Sequence, residues 1–195
     1  MTDWAPFFAA FALIFLAELG DKTMITVITL SSKYSRWLVF VAGVLALALV
    51  SLIGVLIGQV LFDYIPENII TIVAGVLFIA FGILTILVPE KEGNRKAASG
   101  KYGPFLSSFG LIAVMELGDK TQLSVIALSA EYGEPLVILA GAVLAFALVT
   151  LIGVLVGAEI GKRVPERHIK LASAAIFIIF GVVFMAQAVL GIKLL

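Results

Sequence analysis

The chain has 195 residues, of which 62% are apolar and 13% are charged, against roughly 45–50% and 25% in ordinary globular domains. This composition excludes a soluble enzyme domain. Thirteen basic and thirteen acidic residues give a formal net charge of zero, so we expect no nucleic-acid partner. The chain has no cysteine and one histidine, which excludes disulfides, thiolate metal sites and a histidine-rich metal site.

Six long apolar segments follow one another, and each is long enough to cross the roughly 30 Å of a bilayer core. Backbone polar groups in lipid must be bonded internally, so we predict a helix for each segment. The segments cover residues 4–30, 37–62, 67–88, 104–129, 135–160 and 166–192. The predicted fold class is therefore an all-α integral membrane protein with six transmembrane helices.

Lysine and arginine lie almost entirely on one side of this predicted membrane. The loops on that side carry ten of them: Lys33, Arg36, Lys91, Arg95, Lys96, Lys101, Lys162, Arg163, Arg167 and Lys170. The other side, which includes both termini, has only Lys193. Because basic loops stay in the cytoplasm, we predict cytoplasmic basic loops and both termini outside.

The two halves of the chain repeat each other. The hexapeptide Glu-Leu-Gly-Asp-Lys-Thr occupies 18–23 and again 116–121, and the segment 51–58 matches 150–157. Each half has three predicted spans, an odd number, so the second half would enter the membrane from the opposite side. We therefore predict two inverted three-helix repeats, as in many secondary transporters. Their predicted bounds are 1–88 and 104–195, joined by a cytoplasmic linker at 89–103.

The repeated hexapeptides place charges inside predicted spans. Glu18 and Asp21 are three residues apart, so on a continuous helix they share a face, and Lys22 lies near it. The second copy has the same spacing. Both copies lie near the centre of a span, where one charge costs at least about 2.5–3.5 kcal/mol. We predict that the two copies face each other or a wet cavity rather than lipid.

The charge sum of the two hexapeptides predicts their ligand. Four carboxylates and two ammonium groups leave a charge of −2, which one divalent cation or two protons would neutralise. Oxygen ligands suit Ca²⁺, Mn²⁺ or Mg²⁺. The predicted metal ligands are Glu18, Asp21, Glu116, Asp119, Thr23, Thr121 and Gln122, and the four carboxylates among them are also the predicted proton-coupling groups.

Supporting roles are predicted for other residues. Gly20 and Gly118 would let each helix break or approach its partner closely. Lys22 and Lys120 would tune the site or pair with an acid. The matched hydroxyls of Ser51 and Thr150 could line a pathway, although back-bonding to their own helix is the favoured interpretation.

Three alternatives stay open at this point. Each lysine could neutralise an acid on its own helix, so that the charges only join helices. Asp21 and Asp119 could form the dyad of an intramembrane aspartyl enzyme, whose carboxylates share a proton, but the lysine that follows each of them would keep it ionised. The transported species could also be a small organic cation.

The doubled hexapeptide resembles the GDT1 family, whose pattern is Glu-x-Gly-Asp-Lys/Arg-Ser/Thr with one copy in each inverted three-helix half. The resemblance covers nearly the whole chain. It implies a transporter rather than an enzyme, one that exports Mn²⁺ or Ca²⁺ from the cytosol in exchange for protons without a prosthetic group. We predict the inner (plasma) membrane of a bacterium as the location, and a homo-oligomer stays possible.

One position departs from the family pattern, in which a glutamine often follows the motif. Gln122 follows the second copy, but Met24 follows the first. Two interpretations of Met24 remain. Its sulfur could bias a metal site toward Mn²⁺, or the side chain could simply pack.

Overall fold

The computed structural model describes residues 4–87, 103–163 and 166–190, which form eight helices and their connections. The helices are α1 (Ala5–Glu18), α2 (Lys22–Lys33), α3 (Arg36–Tyr64), α4 (Glu67–Leu87), α5 (Gly103–Glu116), α6 (Lys120–Tyr132), α7 (Pro135–Arg163) and α8 (Glu166–Leu190). The described part of the chain is all-α, as predicted. Residues 88–102, which include nearly all of the predicted linker and four of the ten basic loop residues, lie outside the described residues.

Three helical segments are long and apolar enough to cross a membrane unaided. Among the described residues these are Arg36–Tyr64, Asn68–Leu87 and Pro135–Leu155. Shorter apolar helical segments occur at Ala5–Glu18, Gly103–Glu116 and Ala174–Leu190. The described helices therefore have the length and apolarity of a membrane protein.

The predicted spans 4–30 and 104–129 are not continuous helices. The first is divided into α1 and α2 at residues 19–21, and the second into α5 and α6 at residues 117–119. The prediction that Glu18 and Asp21 share one helix face is therefore wrong, because α1 ends at Glu18 and α2 begins after Asp21. The break anticipated at the motif glycines is present in both halves.

Glycine causes each break. Gly20 and Gly118 have φ angles of 81° and 82°, a region that glycine enters at little cost and other L-residues avoid. The residue after each glycine is extended, since Asp21 has ψ 172° and Asp119 has ψ 170°. Aspartate is a favoured residue at the start of a helix, and the next helix begins directly after each of them.

The broken helices of one half pack on the long middle helix of the other. Helices α1 and α2 lie against α7, while α5 and α6 lie against α3. Close approach depends on small residues such as Gly58. A Cβ there would lie 2.5 Å from the Ile126 carbonyl oxygen, and one on Gly141 would lie 2.5 Å from the Phe7 carbonyl oxygen. This packing brings the two breaks together.

Helices α4 and α8 form the most extensive helix pair in the described part of the chain. Buried aromatic rings fill their interface, where the ring of Phe78 in α4 packs at a tilt against those of Phe177 and Phe184 in α8, at centroid distances of 6.0 and 5.7 Å. The pair also packs on α1 and α6. It therefore flanks the paired breaks on one side.

Candidate metal centre

The two helix breaks place two glutamates in the interior. Glu18 is the last residue of α1 and Glu116 the last residue of α5, and each is only 1% exposed. Glutamate is almost never fully buried unless it is paired or holds a ligand. The burial of both is therefore the strongest indication of a site in this protein.

Three carboxylates converge at the breaks. One oxygen each from Glu18, Glu116 and Asp119 lies within 4.8 Å of the other two. Oxygen ligands lie 2.3–2.6 Å from Ca²⁺, so two oxygens on opposite sides of one ion are up to about 5 Å apart. The three carboxylates are thus close enough to bind a single ion. Asp21, the fourth carboxylate in the prediction, is not one of these three.

The two glutamates differ in their hydrogen bonds. Glu116 accepts a hydrogen bond from Thr23 of the other half through Oε1, and a second from Thr121 through Oε2 at 3.0 Å. Both oxygens of Glu18 are buried without a hydrogen-bond partner among the described residues. A buried acceptor without a donor is costly. Of the two glutamates, Glu18 is therefore the one whose two oxygens are both available for coordination.

The two motif lysines form ion pairs with the opposite half. Lys22 Nζ lies 2.9 Å from Asp119 Oδ1, and Lys120 Nζ lies 2.9 Å from Asp21 Oδ2. Both of these ion pairs join a lysine to an aspartate of the other half, whereas one alternative expected each lysine to neutralise an acid of its own helix. The two pairs cancel four of the six motif charges and leave −2 on Glu18 and Glu116.

Gln122 and Met24 occupy matching positions next to the break. The Gly118 N–H donates to Gln122 Oε1 at 2.5 Å, and the Gly20 N–H donates to Met24 Sδ at 3.2 Å. Each side chain thus accepts the N–H of its own motif glycine, four residues earlier. Of the two interpretations of Met24, the contact favours packing at the break. A metal-ligating role of Gln122 remains a prediction.

Ser51 and Thr150, the predicted pathway hydroxyls, are both buried at the centre of α3 and α7, with exposed fractions of 1% and 2%. The methyl group of Thr150 faces Gly43 of α3, whose Cβ would lie 3.2 Å from it. This contact belongs to the packing of α3 on α7. A role in a pathway remains a prediction.

One polar contact was missed from the sequence. Glu131, predicted in a loop, belongs to the last turn of α6 and accepts a hydrogen bond from Thr71 of α4 at 3.1 Å. Glu131 precedes Tyr132 and Gly133, a sequence typical of the end of a helix. No feature of the sequence indicated that α4 would lie opposite.

Comparison with known proteins shows the family of this chain. The profile of a family described as the divalent cation/proton antiporter GDT1 matches the chain twice, over residues 6–93 and 104–191. The chain belongs to the GDT1 family. This family consists of transporters and not of enzymes, which excludes the aspartyl enzyme.

Several GDT1 relatives are similar over most of this chain. A GDT1-like protein of Synechocystis is 33% identical over 91% of this chain and 95% of its own length. The chloroplast protein PAM71 of Arabidopsis thaliana is 32% identical over 94% of this chain, which spans 57% of the length of PAM71. A Vibrio cholerae protein whose name describes manganese export is 30% identical over 84% of this chain and 82% of its own. No solved structure matches the chain.

Proposed function

We propose that this GDT1-family protein exchanges a divalent cation for protons across a membrane and exports the cation from the cytosol. The observation that carries this proposal is the pair of buried glutamates, Glu18 and Glu116, at the junction of the two halves. Ionisable groups inside a membrane protein typically mark ion pathways and proton relays.

The charges of the site support an exchange mechanism. The two Asp–Lys pairs neutralise each other, so the glutamates alone carry the remaining −2. One divalent cation neutralises both carboxylates, and so do two protons. An empty and doubly ionised site is costly to bury. The exchange of one cation for two protons is therefore favoured over the movement of an empty carrier.

The donor atoms of the site favour a hard cation as the transported ion. Glu18, Glu116 and Asp119 supply carboxylate oxygens, and Thr23 and Thr121 have hydroxyl groups at the same position. Such oxygens suit Ca²⁺ and Mn²⁺, and Mg²⁺ is a weaker candidate because it retains several water ligands. A relative named for manganese export favours Mn²⁺ as the first ion to test.

The proposed architecture has six spans in two inverted repeats, 1–88 and 104–195, linked by residues 89–103. In this arrangement α1 with α2, and α5 with α6, each form one broken span. Broken spans at the interface of inverted repeats are a known form of transport site. Rocking of the halves would expose the site to each side in turn. The distribution of lysine and arginine supports cytoplasmic basic loops and outside termini in a bacterial plasma membrane.

Purified protein in liposomes that contain a pH-sensitive dye tests the proposal. Addition of Mn²⁺ or Ca²⁺ to one side should move protons to that side, and an applied membrane potential should not change the rate if two protons exchange for one ion. A tetraalkylammonium ion should be inactive; activity with that ion alone would favour the organic-cation alternative. The absence of proton movement with Mn²⁺, Ca²⁺ and Mg²⁺ would overturn the proposal.

The carboxylate Asp63 provides a matched control for this assay. It is exposed at the end of α3 and accepts a hydrogen bond from Gln59 at 2.9 Å. Asp63→Asn removes one carboxylate just as Glu18→Gln does, but far from the breaks. The Asp63 variant should exchange ions at the wild-type rate.

A further inference from the structure

One face of α2 is polar from the helix break to the end of the helix. At 100° per residue, Lys22, Thr26, Thr29 and Lys33 fall within about 60° of arc. The Lys22 side chain is 38% exposed, Thr26 is half-buried, and Thr29 and Lys33 are exposed. We call these four residues the α2 polar face. This face begins at Lys22, which forms the ion pair with Asp119, and ends at Lys33, the last residue of α2.

The middle parts of α3 and α7 present apolar side chains on their exposed faces. The outer face of α3 presents Val41, Leu45 and Leu49, and that of α7 presents Leu144 and Leu148. Such side chains suit contact with lipid, whereas a lysine inside a span faces water or protein. The α2 polar face therefore differs in kind from the lipid-facing surfaces of the same protein.

The matching face of α6 is covered. Its residues, offset by 98 from those of α2, are Lys120, Ser124, Ala127 and Glu131. Ser124 is fully buried and Ala127 is 7% exposed, while Glu131 is hydrogen-bonded to α4. Equivalent positions of the two repeats are thus covered by other helices on α6 and exposed on α2.

The position of the α4–α8 pair explains the difference. This pair packs on α1 and α6. Within residues 4–87, 103–163 and 166–190, it has no comparable contact with α2 or α5. One end of the site is therefore closed by α4 and α8, and the other end is left uncovered.

We propose that the α2 polar face lines a water-filled route by which the divalent cation reaches Glu18 and Glu116, and that the α6 face is the closed half of the same route. This inference rests on the proposed exchange function. The hydroxyl oxygens of Thr26 and Thr29 would replace water ligands of the ion along the way. Under the proposed orientation the open route leads to the cytoplasm.

Single cysteines test this route, because the native chain contains none. Thr29→Cys and its counterpart Ala127→Cys form one matched pair, and Thr26→Cys with Ser124→Cys forms a second pair in case one variant fails to fold. A charged, membrane-impermeant maleimide is added to right-side-out and to inverted vesicles. Its reaction requires a hydrated thiolate.

We expect labelling of Thr29→Cys from the cytoplasmic side, at least about tenfold faster than that of Ala127→Cys, and slower labelling when Mn²⁺ is present. Leu45→Cys serves as the lipid-facing control, which only a lipophilic maleimide should reach. If Thr29→Cys behaves like Leu45→Cys, the face contacts lipid and the inference is wrong. Equal labelling of Thr29→Cys and Ala127→Cys would also overturn it.

The labelling result is separate from the transport result. If the wild-type protein exchanges Mn²⁺ for protons and both α2 cysteines resist the charged reagent, only the route is wrong. If the cysteines are labelled as expected but no divalent ion moves protons, the proposed function is wrong and the inference that rests on it falls as well.

Discussion

The two copies of the hexapeptide, residues 18–23 and 116–121, have one sequence and one backbone shape but unequal surroundings. Both contain a glycine with φ near 81° between two helices. In the second copy Glu116 accepts two threonine hydroxyls, and in the first copy both oxygens of Glu18 lack a donor among the described residues. The acceptor of the glycine N–H also differs, being an amide oxygen at Gln122 and a sulfur atom at Met24.

This difference separates two tasks that one sequence performs. Hydroxyl donors fix the orientation of the Glu116 carboxylate, and its capacity for a further ligand is reduced because a carboxylate has about four acceptor sites. Glu18 keeps all of its acceptor sites for an incoming ion or proton. We therefore propose that the second copy is the anchored side of the site and the first copy the side that receives the ion.

The largest expected effect comes from neutralising either glutamate. In each of the variants Glu18→Gln and Glu116→Gln, only one of the two glutamates remains to neutralise a divalent ion. Loss of one partner from a buried charge pair costs about 3–5 kcal/mol. This corresponds to roughly a 150- to 5000-fold weaker affinity, measured as the Mn²⁺ concentration for half-maximal proton movement in liposomes.

The same two variants also test the difference between Glu18 and Glu116 when their melting temperatures are measured in detergent without metal. Glu18→Gln removes a buried charge that has no donor, so it should raise the melting temperature. Glu116→Gln weakens two existing hydrogen bonds and should raise it less or lower it. Wild-type affinity in both variants, or the reverse order of stability, would contradict the assignment of the two glutamates.

Breaking the ion pairs should have the next largest effect. The Lys120–Asp21 pair has side-chain exposures of 18% and 5%, against 38% and 22% for Lys22–Asp119. Double-mutant cycles with Lys→Met and Asp→Asn should give coupling energies of about 0.5–3 kcal/mol, with the larger value for the more buried Lys120–Asp21 pair. Coupling of Lys22 to Asp21 that exceeds its coupling to Asp119 would restore the alternative of pairing within one helix.

Alanine at the motif glycines should have a smaller effect on stability. An L-residue in the left-handed region costs roughly 1–2 kcal/mol. A Cβ on Gly118 would have no atom within 4 Å, so the expected loss in that copy is conformational alone. Gly118→Asn should lose less than Gly118→Ala, because asparagine tolerates this region better. The melting temperature in detergent is the measurement, and an unchanged value for Gly118→Ala would show that the break does not depend on glycine.

The smallest expected effect comes from exchanging the residue that follows each copy. Met24→Gln should stabilise the first break, and Gln122→Met should destabilise the second by about 0.5–1.5 kcal/mol, the usual contribution of one hydrogen bond. Thermal unfolding without metal measures both changes. If Gln122→Met instead leaves the metal-free stability intact and lowers only Mn²⁺ affinity, Gln122 is a metal ligand and not an acceptor for Gly118.

Much of the fold could be predicted from local sequence. The apolar segments gave the helices, and Gly20 and Gly118 suggested the breaks, because both features depend on residues next to one another in the chain. The shared helix face of Glu18 and Asp21 was predicted wrongly. The periodicity argument assumes a continuous helix, and the backbone between these residues is extended at Asp21.

The sequence by itself determined that two identical charged motifs occur inside apolar segments and that they sum to −2. Only the tertiary structure decided which lysine meets which aspartate, which glutamate keeps its acceptor sites, and which of α2 and α6 is covered. The physical reason is distance along the chain. These partners are about 90 to 100 residues apart, and they meet because α1 and α2 pack on α7 while α5 and α6 pack on α3. Identical hexapeptides contain no information about unequal neighbours, and α6 is covered where α2 is not because α4 packs on α6.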